Sequence, residues 1–518
     1  MSDHTDNLPC GWVIAPLDDF CEIVQGQSPP GDTYNVDRDG LPFFQGKAEF
    51  GELYPTAVKW CSSPTKIAEK EDVLISIRAP VGPTNLCPAR ACIGRGLAAV
   101  RPLGSISPRY VLYGLRNTQD ELVARSTGST FGAISGDTLR NHELPVAPLP
   151  EQVKIVEEIE KQFTRLEAGV AALKRVQANL KRYRAAVLKA AVEGRLVPTE
   201  AELARREGRS YETAHELLQR ILAERRARWE ADQLAKIRAS GKPSKDDKWK
   251  EKYKEPEGPD ANNLPSLPEG WAWATTSQIG EVQLGRQRSP KKRSKDYPTK
   301  YIRAANITEK GIDLSDVLDM EFDPDERQRY LLRKGDIVLS EASGSPTQVG
   351  KPAIWRDDLL PGCCFQNTVI RLRPCVPVSE YLLAVFKGFY WNGVFAKIAG
   401  GVGINHLGAD KFSSVVVPLP PLPEQLRIVA DVDRRLSVIE ELEAQVEADL
   451  KRAGRLRQAV LKRAFEGKLV PQDPSDEPAS VLLERIRAKR EMRQGKAPAA
   501  TQPRSGERRR RSRAPRRA

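Results

Sequence analysis

The sequence predicts two mixed α/β (α+β) globular domains separated by long antiparallel coiled-coil helices, all organised by an internal pseudo-two-fold repeat. Three observations carry this. First, residues 148–198 begin PLPEQVKIVEEIE and end AAVLKAAVEGRLVP, while residues 421–471 begin PLPEQLRIVADVD and end QAVLKRAFEGKLVP; at a constant offset of 273, without a gap, 21 of the 51 positions are identical. Second, apolar residues recur every seven positions within both segments. Third, the stretch ahead of each segment alternates short β-branched runs with turn residues. Chance does not produce a gapless match of that length, so the chain is one unit used twice.

The elements follow in chain order. Residues 1–147 form the first domain, with LPCGW at 8–12 matched by LPEGW at 267–271. Its strand DVLISI (72–77) echoes DIVLS (336–340), and Val100-Arg101-Pro102 parallels Leu372-Arg373-Pro374, with Cys92 and Cys364 at the same distance upstream. A helix is expected over about 108–126, with a counterpart over about 378–398. Residues 148–198 are the first long helix. Glu151 sits in its first turn, as Glu424 does in the second copy, where a negative charge suits the helix dipole. The seam runs Ile159, Leu166, Leu173, Leu180 and Val187, against Val432, Ile439, Val446, Ala453 and Val460 in the second copy. Apolar residues beside it (Val156, Phe163, Val170, Leu436, Leu442, Leu450) either broaden that seam or meet partner helices. Gly194 and Gly467 close the helices, each of which is about 60 Å long at 1.5 Å per residue.

Residues 199–264 read as a charged helix (199–238) followed by an exposed linker rich in Lys, Pro, Gly and Asp (239–264). The second domain spans 265–420 and its long helix 421–471; residues 472–518 hold a shorter helix, similar to 215–226, and an Arg-rich tail.

Composition narrows the function. Of the 518 residues, 40% are hydrophobic and 29% charged, a globular mixture with room for several cores. No run of about 18 apolar residues could span a bilayer, and the N-terminus lacks the basic start and apolar run of a secretory signal; a cytoplasmic protein, without membrane partners, is expected. The net charge of +13 invites a polyanion, but residues 503–518 alone carry eight Arg against one Glu. That tail favours loose nucleic-acid attraction. The eight Cys form no CxxC pair and the four His lack metal spacing, so no metal site is expected. The nearest approach to a phosphate loop, Gly344 through Gly350-Lys351-Pro352, has one residue too many and a proline where a hydroxyl is needed. No GxGxxG follows a strand and no Asn/Asp-Pro-Pro-aromatic motif appears, while Asp323-Pro324-Asp325-Glu326 reads as a solvated turn. The chain is expected to have no catalytic centre. What remains is a binding device with two similar heads. Two heads on one side of B-DNA must lie about one helical turn, roughly 34 Å, or a multiple of it apart.

The paired PLPEQ-to-EGRLVP and PLPEQ-to-EGKLVP segments, the LPxGW openings and the DxLxS-type strands resemble the specificity (S) subunit family of type I restriction–modification systems, over about residues 8–495. The resemblance implies two target-recognition domains, each reading one half of a bipartite asymmetric site in double-stranded DNA. It implies that the helices set the spacing and dock two methyltransferase (M) subunits, with restriction/translocase (R) subunits joining them. It places adenine-N6 methylation and cleavage, with S-adenosylmethionine, ATP and magnesium, on those partners and no cofactor on this chain. The alternative is a non-catalytic coiled-coil scaffold that binds nucleic acid without sequence choice. The Arg-rich tail and the long 199–264 connection depart from the family pattern.

Base contacts need Arg, Lys, Asn, Gln, Ser or Thr on loops held by a rigid scaffold. In the first head the candidates are Gln45 and Lys47 after Phe43-Phe44, Arg78, Arg95, and the loop residues Ser126, Thr127, Ser129 and Thr130. In the second they are Arg286, Arg288, Lys291, Lys292, Arg293 and Lys295, then Arg303 and Asn306, and Ser343, Ser345, Thr347, Gln348 and Lys351. Gln366, Asn367, Asn405 and His406 complete the set. The Gly-containing loops at 126–136 and 400–408 occupy corresponding positions.

Overall fold

The computed structural model describes residues 8–127, 132–239, 247–287, 297–356, 360–401 and 404–494. The chain divides into two compact units, residues 1–173 with 448–518, and residues 174–447. This differs from a head-then-helix reading of the repeat. Each long helix begins in one unit and ends in the other, and the shorter helix following a repeat joins the opposite head's unit.

In the first unit the strands that position the loops are β1 (Cys21–Gln25), β2 (Leu41–Phe44), β3 (Val73–Ser76), β4 (Thr84–Leu86), β5 (Ala91–Ile93) and β6 (Leu97–Pro102). They make an antiparallel sheet ordered β1-β6-β3-β4, while β2 pairs in parallel with β5 in a second sheet. Helix α1 (Pro108–Asn117) covers the first sheet, and α2 is the long helix Leu149–Val192. The second unit holds α3 (Ala214–Ala239) and repeats the scheme with β7 (Gly280–Leu284), β8 (Pro298–Ile302), β9 (Ile337–Ser340), β10 (Pro352–Ile354), β11 (Cys364–Phe365) and β12 (Val369–Pro374). Its antiparallel sheet is ordered β7-β12-β9-β10, and β8 pairs in parallel with β11. Helices α4 (Ser379–Trp391), α5 (Leu422–Phe465) and α6 (Ala479–Gln494) follow.

Each head is closed by its own ends. Strand Val13–Pro16 pairs with Glu143–Val146 and Ala272–Thr275 with Val416–Leu419, so the chain enters and leaves beside the start of a long helix. The repeated motifs lock this junction. Trp12 donates its indole N–H to Glu151 (2.6 Å), and Trp271 donates to Glu424 (3.0 Å). Burial pushes both carboxyls up from their ordinary value. Gln152 and Gln425 each donate to a backbone carbonyl five residues before them, Ala147 and Pro420, at 2.8 Å. The glutamates therefore do more than meet the helix dipole.

Most of the predicted seam residues are buried within their units. Ile159, Leu180, Val187, Val432, Ile439, Val446 and Ala453 are buried, and Leu166, Leu173 and Val460 half-buried. Val156 and Phe163 join the first unit's core and Leu436 the second's; Leu442 is exposed. In the first unit Arg457 bonds Glu167 (2.8 Å) and lies over Phe163; in the second Arg184 bonds Glu443 (3.0 Å) and Arg435 reaches the Tyr183 hydroxyl (3.0 Å). Gly114, inside α1, lets Phe465 approach: a Cβ there would stand 3.3 Å from its ring.

Three stretches differ from expectation. The region read as one charged helix is two, Glu200–Glu207 and α3, broken by Gly208 in the left-handed region (φ 64). The described part of the linker is docked: Trp249 stacks on Trp229 at 6.0 Å, and Glu257 O accepts the Thr275 hydroxyl. Asp323 and Glu326 are not a solvated turn but a reciprocal cap on the helix Pro324–Tyr330.

His142, fully buried in the first unit, bonds Thr118 Oγ1 (2.7 Å) through Nε2, and burial lowers its pKa from 6.5 to about 4. The unfolded chain takes up this proton near pH 6.5 and the folded chain only near pH 4. Its contribution is therefore intact above the unfolded value and lost as pH falls between the two. About 3 kcal/mol is at stake. Urea unfolding at pH 7, 5.5 and 4.5 should show the stability gap between wild type and His142→Gln closing as pH falls. A pH-independent gap would contradict the assignment.

Candidate nucleic-acid interface

The two heads present the same backbone frame at one end of their sheets. In the first unit Gly26 N donates to Leu97 O (2.9 Å), Gly94 N to Phe44 O (2.8 Å), Ile77 N to Gly96 O (2.9 Å) and Ile134 N to Ile77 O (3.0 Å). In the second, Gly285 N donates to Val369 O (3.0 Å), Gln366 N to Ile302 O (3.0 Å), Glu341 N to Thr368 O (2.8 Å) and Leu407 N to Glu341 O (2.9 Å). Each bond has its counterpart. The crossing requires glycine at equivalent sites, because a Cβ on Gly26 would lie 2.2 Å from Gly94 O and one on Gly285 2.2 Å from Gln366 O.

This frame pairs the sequence-predicted residues position by position. Gln45 follows β2 as Arg303 follows β8, and Arg95 occupies the turn position that Asn367 occupies in the other head. Arg78 corresponds to Ala342, since Arg78 bridges Ala133 where Ala342 bridges His406. Thr127 corresponds to Gly400, each pairing with that same returning strand. Gln45, Lys47, Arg78, Arg95, Ser126 and Thr127 are therefore brought onto the strand ends and turns of one frame, with Lys47, Arg78 and Arg95 exposed. The second head's frame gathers Arg303, Ser343, Gln366, Asn367, Asn405 and His406, while Gln348 and Lys351 lie on the β9–β10 connection.

Several candidates are committed elsewhere. Arg286 is only 7% exposed; it pairs with Glu326 at 2.8 Å and lies over the Phe322 ring, so its guanidinium is engaged within the head. Asn306 is buried and fully used. Its Oδ1 accepts the Arg303 N–H (3.0 Å) and its Nδ2 donates to Asp313 O (2.9 Å) and Asp316 O (3.0 Å). A base contact by Asn306 would have to break these bonds. The Arg303 guanidinium bonds Asp316, and Ser343 Oγ accepts the Ser345 N–H (3.2 Å). Ser129, Thr130, Arg288, Lys291, Lys292, Arg293 and Lys295 lie outside the described residues.

The motif arginines are structural as well. Arg101 clamps Asp72 at 2.9 and 2.8 Å, and Arg373 clamps Asp336 at 2.8 and 2.7 Å. Sequence reasoning missed Glu341, which receives His406 Nδ1 at 3.1 Å on both carboxylate oxygens. The signal was available: the residue following the repeated strand is Ile77 in one copy and Glu341 in the other.

Among the described residues no cluster of His, Cys, Asp and Glu could hold a metal ion, and no helix is long and apolar enough to cross a membrane. The geometry offers polar and cationic side chains on a stiff backbone frame, in two versions.

Comparison with known proteins gives the same pattern twice. A family model described as the type I restriction modification DNA specificity domain matches residues 9–174 and again 268–452. A putative type I restriction enzyme MjaX specificity subunit of Methanocaldococcus jannaschii is 38% identical over 155 residues, 29% of this chain and 36% of that one. The type I restriction enzyme EcoKI specificity subunit of Escherichia coli K12 is 22% identical over 520 residues, 94% of this chain and 97% of that one. The solved HsdS subunit from Thermoanaerobacter tengcongensis is 16% identical, with 90% of this chain and 100% of that chain covered at a TM-score of 0.49.

Proposed function

This chain belongs to the type I restriction–modification DNA specificity family, and from that premise we propose that its two heads each read one half of a split, asymmetric DNA site. The observation that carries the reading is the shared frame with unlike side chains: Gln45 against Arg303, Arg95 against Asn367, Arg78 against Ala342. A common backbone fixes how each head meets the duplex, and the differing side chains select different bases. Lys47, Arg78 and Arg95 are exposed cations suited to phosphates or guanine edges.

In this proposal the long helices pair antiparallel as a coiled coil that sets the gap between half-sites. Methyltransferase subunits dock on the helices, two per chain, one for each copy of the repeat. Adenine methylation, cleavage and the cofactors they need reside on the methyltransferase and restriction subunits; this chain is the non-catalytic selector. Support for docking comes from apolar residues three positions past the seam on the two helices, Val176, Tyr183 and Leu442, which remain exposed.

The test is exchange of residues 8–147 for the head of another specificity subunit. Val13–Pro16 and Glu143–Val146 both lie in the exchanged segment, so their pairing travels with it, and a donor head that carries the LPxGW tryptophan keeps the bond to Glu151. One half-site should change while the other half-site and the gap stay. Simultaneous change of both halves, or uniform salt-sensitive binding to every duplex, would favour the scaffold reading.

A further inference from the structure

We infer that Glu341 and His406 form a tautomer-locked reading pair in the second head, in which His406 Nε2 accepts a hydrogen bond from the exocyclic amino group of one base, cytosine N4 or adenine N6. The inference rests on the proposed DNA reading and assigns a chemistry to one position of it.

Glu341 is held on every side. It is 9% exposed, its N–H is bonded to Thr368 O (2.8 Å), and its carbonyl accepts the Leu407 N–H (2.9 Å). Its carboxylate only accepts hydrogen bonds, so the Nδ1 atom 3.1 Å from both oxygens carries the imidazole proton. In the neutral ring Nε2 is then the acceptor. The imidazole is half-exposed, with 52% of the side chain open. Its backbone is fixed by the pair of bonds to Gly400 (2.8 and 3.1 Å) and by pairing with Ala342. A rigid, oriented acceptor thus stands on the same turn frame as Asn367, Gln366 and Asn405. The groove partners that donate to such an acceptor are the amino groups of cytosine and adenine.

The first head has no such device. Ile77 and Ala133 occupy the equivalent places, and neither can accept or donate through its side chain. A carboxylate beside a phosphate backbone repels it, so Glu341 does not serve general affinity. Glu341 is a positioning residue and His406 the contacting one.

Reconstituted complexes of the full chain with its methyltransferase, assayed on duplex libraries varied one base pair at a time, test this. His406→Ala should cost roughly 5- to 150-fold in discrimination at one base pair of the second half-site, the range for loss of a base contact, and leave the first half-site unchanged. Glu341→Gln frees the tautomer, because its amide can accept from Nδ1–H through the oxygen or donate to Nδ1 through the nitrogen. It should therefore weaken the preference for an amino-bearing over a carbonyl-bearing base at that same pair, with thermal unfolding unchanged. A structural role for the pair would not move base preference. The inference is overturned if His406→Ala leaves every position as selective as before, or weakens all sequences equally with a shallower salt dependence, the mark of a phosphate contact. Loss of selectivity in His406→Ala with the amino preference undiminished in Glu341→Gln overturns the tautomer lock. A wild-type complex with no second half-site would instead defeat the split-site reading itself.

Discussion

Asp336→Ala should destabilise the second unit by about 3–5 kcal/mol, the range for leaving one partner of a buried ion pair uncompensated. Asp336 is 1% exposed and receives three donors: Arg373 Nε and Nη2 at 2.8 and 2.7 Å, and the Arg333 N–H at 2.8 Å. Its removal leaves Arg373 with Leu331 O alone among its bonds. The neighbouring Arg371 aggravates this. It is buried, and desolvation together with the Arg373 charge already depresses its guanidinium. The matching Asp72→Ala in the first unit should cost less, because Arg101 keeps Glu22 at 3.3 Å in a more exposed setting. Urea unfolding of both variants measures the difference. Equal, sub-1 kcal/mol effects would show that the clamp is not what holds the strands together.

Val176→Glu combined with Leu442→Glu should abolish methylation by the assembled complex, with a loss of at least about 100-fold, while the isolated chain folds normally. The two residues are 42% and 45% exposed. Glutamate is a good helix former, and surface substitutions of this kind usually stay within about 0.5 kcal/mol. A partner helix laid on that surface would have to bury two unpaired carboxylates, which costs several kcal/mol. Co-purification with the methyltransferase, together with a melting curve of the free chain, separates the two effects. Undiminished association would move the docking surface elsewhere.

The long helices were legible because a seven-residue period reports a local geometry that tertiary packing has little freedom to change. Their observed bounds, Leu149–Val192 and Leu422–Phe465, fall inside 148–198 and 421–471, with Gly194 and Gly467 past the ends at φ 65 and 67. The strands DVLISI, DIVLS and VIRLRP were legible for the same reason: apolar β-branched runs leave few alternatives. What the sequence could not show was which residues spend their hydrogen bonds internally. Arg286 and Arg95 look alike in one dimension, yet Glu326 lies 2.8 Å from the first, while the second stands exposed on a turn. Asn306 likewise spends its amide on Arg303, Asp313 and Asp316. Division into units was also illegible, because it depends on which head a trailing helix meets. The repeat signalled equivalence of segments but not their partners. The most repeated residues, Trp12 with Glu151 and Trp271 with Glu424, turn out to lock the junctions. The proposed reading positions sit where the two copies differ.

The most direct test of the central claim is base-resolution mapping of methylated adenine in cells expressing this chain with its methyltransferase. The account predicts one motif of two unlike blocks separated by a gap of fixed length, absent when this chain is removed. Methylation that persists at the same sites without the chain, or a chain-dependent pattern with a single contiguous block, would contradict it.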